Sequence, residues 1–235
     1  MLTLRDHNVE DYASLRDMDS TDVAVMDDAD RACLDELGNH LVSTDAWQRF
    51  AIWLLHKHFE PEPGEVFVER VSTSPRGTVT KLIERAADLA VTSMRFDPDV
   101  RCGAGVIGME FADPADFGGT ALLCDGDAAA LAGVAERLRA HGKTERFGVR
   151  MIRDPLGLRA DEVLVETCDI TRRRLQCSAE KRDEVHAESV ETTWLWKPSG
   201  KPGPAGPAVM QYCMMMCGYD GNGNHYIEGH TIMPD

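Results

Sequence analysis

The 235-residue chain carries 40 acidic against 25 basic side chains, a formal net charge of -15, and is 43% hydrophobic. That length buries a substantial core in one large or two small domains without metal or disulfide staples. The acidic balance repels phosphate backbones and so argues against nucleic acid as a partner. No apolar run approaches the roughly 20 residues that span a bilayer, which argues against a membrane partner, and MLTLRDHNVED lacks both parts of a secretory signal. Seven cysteines scattered from Cys33 to Cys217 read as reduced thiols, and the expected location is the cytoplasm.

The first 30 residues hold nine acidic side chains against Arg5 and Arg16, a net charge of -7. Residues 1–26 are therefore expected to form an acidic, solvated N-terminal arm. Beyond it the chain resembles itself at an offset of 97 residues: RFAIWLLHKHFEPEPGEVFVE, from Arg49 to Glu69, aligns without a gap on RFGVRMIRDPLGLRADEVLVE, from Arg146 to Glu166. Upstream, Asp30, Leu34, Leu37 and Leu41 fall on Asp127, Leu131, Val134 and Leu138. An Asp followed by apolar residues at this spacing predicts a capped amphipathic helix in each copy.

After the helices, the RF stretch of the first copy fits either a helical stripe or a strand. FGVRMIRDP in the second copy, with its glycine, β-branched residues and proline stop, predicts a strand. FEPEPG and PLGLRA then read as hairpin connections, and EVFVERV and EVLVETC as the returning strands. TSMRFDP and TTWLWKP continue the match at an offset of 100. The expected architecture is α+β, an internally duplicated pair of helix-plus-antiparallel-strand halves, residues 27–126 and 127–235, related by a pseudo-twofold axis. The Gly/Pro stretch 197–207 is a predicted loop.

The last 25 residues, QYCMMMCGYDGNGNHYIEGHTIMPD, collect Cys213, Cys217, His225 and His230. Thiolate and imidazole are the donors zinc and copper prefer, and the Met214, Met215, Met216 run would add thioethers suited to Cu(I). On a helix the two cysteines would share a face; on a strand they stand about 13 Å apart, and AVMQYCMMMC fits either. A core strand and a nucleophilic cysteine with His225 or His230 as base are the competing readings. DGNGNHYIE echoes a calcium loop but has His225 and Thr231 where such loops need Gly and Glu.

His56 and His58 stand two apart, so on a strand both leave one face about 7 Å apart, close enough to share an ion or to act as acid and base. The aligned positions are Arg153 and Pro155. GAGVIG, Gly103 to Gly108, satisfies a dinucleotide fingerprint, but Pro114 interrupts the helix that would have to follow, so no nucleotide cofactor is expected. Walker, G-x-S-x-G, H-E-x-x-H and kinase signatures are absent. The leading expectation is a transition-metal protein, zinc or copper, using Cys213, Cys217, His225 and His230, with His56 and His58 facing the cleft. The alternative is a metal-free module whose inter-half cleft takes a small molecule or a protein.

Overall fold

The computed structural model describes residues 2–5, 7–18, 23, 25–86, 88–100, 103–117, 122–153, 156–185, 189–198 and 209–217, with 209–214 and 217 as backbone only. Eleven strands dominate it: β1 (Leu2–Arg5), β2 (Phe50–Leu54), β3 (Glu65–Thr73), β4 (Arg76–Glu84), β5 (Ala90–Phe96), β6 (Ala104–Ala112), β7 (Phe147–Met151), β8 (Glu162–Asp169), β9 (Arg174–Lys181), β10 (Val190–Pro198) and β11 (Val209–Cys217). The described helices are α1 (Val9–Ala13), α2 (Asp28–Ser43) and α3 (Ala128–Ala140), besides short 3-10 turns. The strand order is β6-β3-β4-β9-β8-β11-β10-β2-β7-β5, and β5 pairs antiparallel with β6 to close a ten-strand barrel. β1 adds in parallel to Ala104–Ile107 of β6, on the edge whose far end, Glu110–Ala112, pairs with β3.

This corrects the α+β expectation. Two helix-plus-strand halves with a cleft or a shared sheet between them are replaced by one closed ring in which the two stretches interleave. β2 does not return on β3 through a hairpin; it lies between β7 and β10, with Ile52 opposite Val149. The internal-repeat description fails for the same reason, because neither stretch closes a sheet alone. Local alternation fixes which residues are strands but not which distant strand each one pairs with.

Both faces of the ring are buried in places, and β2 shows why its sequence is an unbroken apolar run. Phe50, Ile52 and Leu54 lie under α2 and α3, packed with Leu37, Leu41, Leu131 and Leu138, while Trp53 packs inside with Leu55, Phe67, Ile107 and Met109. α2 begins with a capping box between Asp27 and Asp30, so Asp27 rather than Asp30 is its cap. Asp127 precedes α3 without a side-chain cap bond; its carboxylate takes Arg49 Nε and Nη2 at 2.6 and 2.7 Å. Asp30 receives Arg146 Nε at 3.2 Å and Lys143 Nζ at 2.6 Å. The helices touch closely at Gly133, where a Cβ would come within 2.2 Å of the His40 ring.

The N-terminal stretch is more than a solvated arm. β1 is part of the sheet, and Tyr12, Leu15, Met18 and Val23 are buried. Tyr12 packs on Phe67 with ring centroids 4.3 Å apart, so α1 closes one end of the barrel interior.

Candidate metal centre inside the barrel

The inner face carries charge as well as hydrocarbon. Arg150 on β7 bonds Glu69 on β3 at 3.0 Å, although β5 and β6 stand between those strands around the ring. Such a bond runs through the interior. Arg150 also donates to Glu110 at 2.5 Å and to the Ser93 hydroxyl at 3.0 Å, and Arg153 reaches Glu69. A register shift between β5 and β6 around Ser93 turns both Met109 and Glu110 inward, which brings an acid to Arg150. Burial works to raise the Glu69 pKa, but Arg150 and Arg153 outweigh it and hold the carboxyl below its usual value. Burial likewise opposes the Arg150 charge, and Glu110 and Glu69 outweigh it, raising its pKa.

A second cluster lies on the same inner face. Past β2 the chain stays extended beside residues 16–18, with Lys57 N donating to the Arg16 carbonyl and Met18 N to the Lys57 carbonyl. Alternation turns His56 and His58 to one side and Lys57 to the other, where Nζ meets the Ala13 carbonyl at 2.8 Å and Glu60 at 2.5 Å. Across the ring, Glu166 of β8 points at the two imidazoles. Nε2 of His58 is 2.7 Å from Glu166 Oε1, Nε2 of His56 is 3.7 Å from that oxygen, and the two nitrogens are 3.2 Å apart. The side chains of His56, His58 and Glu166 are only 4%, 3% and 8% exposed, which removes the cluster from bulk water.

Hydrogen bonding sets the proton positions. His56 Nδ1 lies 2.7 Å from the Leu54 carbonyl, which only accepts, so Nδ1 carries a proton and Nε2 is the nitrogen turned inward. Burial acts to raise the Glu166 pKa, but the His58 and His56 imidazoles outweigh it and hold the carboxyl well below the ordinary value. A carboxylate there accepts from His58 Nε2–H. On the far side of Glu166, its antiparallel partner Cys177 sends Sγ to Oε2 at 3.8 Å. Burial, then Glu166 and Glu69, push the Cys177 thiol well above 9.0, so it remains a thiol.

The sequence-derived candidates divide. His56 and His58 do share a face, and their rings meet edge to face with centroids 4.8 Å apart. Glu166 was legible only as a member of the repeated V-x-V-E pattern, which does not say which phase of the strand faces inward. Glu69 holds the matching place and meets guanidinium groups instead, one of them Arg153, the residue aligned with His56. Cys213 and Cys217 lie on β11, an extended segment that sets positions four apart by about 13 Å. Their side chains, with Met214, and the whole of His225, His230 and the calcium-like stretch 220–228, lie outside the described residues. The β11 register nevertheless pairs position 217 with Glu166. Met215 is buried against Leu164 and Cys177. GAGVIG opens into strand β6 rather than a phosphate-binding turn and helix. Trp53, Trp194 and Trp196 are core aromatics.

A separate concavity of about 270 Å³ beside the start of α2 is lined by Lys143, Arg146 and Asp30 among others, but both cations are already bonded to Asp30. Among the described residues no helix is long and apolar enough to cross a membrane. Comparison with protein-family models, with curated proteins and with solved structures finds no match for this chain.

Proposed function

We propose that this protein binds a divalent transition-metal ion inside its barrel through Nε2 of His56, Nε2 of His58 and Oε1 of Glu166. The observation that carries the reading is the convergence of two imidazole nitrogens and one carboxylate oxygen within 3.7 Å of one another. An ion bonded at about 2.0–2.1 Å to three corners of a tetrahedron has corners about 3.3 Å apart, which the three separations straddle. The Leu54 carbonyl on His56 Nδ1 is the outer-shell contact that ligating histidines make. On binding, the ion takes the place of the His58 Nε2 proton.

The donor set favours zinc over Cu(I), since imidazole and carboxylate are harder than the sulfur ligands Cu(I) selects. The free thiols of Cys33, Cys124 and Cys177 support a cytoplasmic location for this reading. Metal analysis of tag-free protein tests it. Near-stoichiometric zinc that falls at least tenfold in both His58→Ala and Glu166→Gln is the expected result, and metal below a tenth of an equivalent in the wild type overturns it.

A second reading keeps the terminal donors. It takes Cys213, Cys217, His225 and His230 as one ligand set for zinc or copper, supported by the thiolate and imidazole donors gathered in the last 25 residues. Loss of metal in Cys213→Ser and Cys217→Ser, with metal retained in His58→Ala and Glu166→Gln, would favour it.

A further inference from the structure

We infer that Cys177 is a positioning residue for the ion site: its S–H holds Oε2 of Glu166 so that Oε1 alone is presented to His56 and His58. The inference rests on the metal reading above and adds how the carboxylate is aimed. Glu166 has two oxygens with different surroundings. Oε1 faces the imidazole nitrogens, and Oε2 faces Cys177 Sγ at 3.8 Å. In a buried site each carboxylate oxygen needs a donor, and an unheld carboxylate can rotate to chelate an ion through both oxygens.

The backbone fixes that donor in place. Cys177 is the antiparallel partner of Glu166 across β8 and β9, so the two side chains leave the same face side by side. On its other flank β9 is pressed against β4 at Gly77, where a Cβ would stand 1.8 Å from the Cys177 carbonyl oxygen. That approach, together with the pairing to β8, sets the Cys177 backbone between two strands. Leu164 and Met215 pack around the Cys177 side chain, and Sγ lies within donor reach of Glu166 Oε2.

Cobalt(II) is the probe, titrated into the full-length wild type, Cys177→Ser, which keeps a donor, and Cys177→Val and Cys177→Ala, which do not. The Ser variant is expected to bind within about threefold of the wild type, and the two non-donor variants 10- to 100-fold more weakly. Their visible cobalt bands should weaken and move as the carboxylate becomes bidentate, a change that lost packing alone does not produce. Wild-type affinity and spectrum in the Val or Ala protein overturn the inference, as does equal weakening in the Ser variant. A thiolate-to-cobalt charge-transfer band that Cys177→Ser abolishes also overturns it, because Cys177 would then be a ligand, while the metal reading stands. No cobalt uptake by the wild type removes both.

Discussion

Replacing Arg150 with methionine tests whether the polar face truly lies inside a closed ring. The guanidinium bonds Glu110 at 2.5 Å, Glu69 at 3.0 Å and the Ser93 hydroxyl at 3.0 Å, and all four side chains are buried. After the substitution Glu69 retains Arg153, but Glu110 keeps only the Ser93 hydroxyl at 2.6 Å. Stranding one buried carboxylate this way costs about 3–5 kcal/mol. For a chain of this size that is a fall in melting temperature of roughly 6–20 °C. Urea unfolding followed by circular dichroism measures it. The double variant Arg150→Met/Glu110→Gln should recover about half of the loss or more, because it removes the uncompensated charge. A loss below about 1 kcal/mol for Arg150→Met would mean that water reaches this face, and the barrel-interior argument, with the metal site it encloses, would be refuted.

Four further outcomes follow from the same structure. Gly77→Ala puts a Cβ against backbone of β9, which cannot yield like a side chain; about 2 kcal/mol or more of stability should be lost in urea unfolding. Arg49→Ala leaves the buried Asp127 with backbone and local contacts only, and about 1–3 kcal/mol should be lost by the same measurement, most of it absent from the Arg49→Ala/Asp127→Ala pair relative to Asp127→Ala alone. The Glu69 carboxyl has a lowered pKa in the folded state, so its contribution is complete above the unfolded value of 4.5 and disappears as pH falls through the lower folded value. Glu69→Gln should therefore flatten the stability decline below pH 4.5 by up to about 1.4 kcal/mol per pH unit, read from unfolding curves between pH 2 and 7. Finally, chelation of the ion should lower the melting temperature of the wild type and leave that of Glu166→Gln unchanged; equal shifts in both would place the ion elsewhere.

What the sequence disclosed was local. The helix over residues 28–43 follows from its apolar spacing, although its cap is Asp27 rather than the expected Asp30, and the strand beginning at Phe147 from its glycine, β-branched residues and proline stop. The face shared by His56 and His58 follows from period two. The ring was hidden because closure depends on pairings such as β2 with β7 and β4 with β9, between segments about a hundred residues apart, and alternation carries no address for a partner. Continuous apolar runs like FAIWL also conceal which face is inner when both are covered. Glu166 escaped notice as a ligand because a glutamate among valines looks like a solvent-facing strand position until the opposite wall is known. His56 and His58 were visible as a pair, but nothing local says that a carboxylate 108 positions away completes them.

The edge of β6 is shared between two partners, β1 for Ala104–Ile107 and β3 for Glu110–Ala112, and β1 is only four residues long. This is a seam mended with a small patch. Deleting residues 1–6 would bare a short row of peptide groups on β6, at Ala104–Ile107, a docking rail for any stray extended segment. Fusion partners or purification tags are accordingly safer away from Met1, where they would pull at the patch, and a truncated protein should be sticky before it is unfolded.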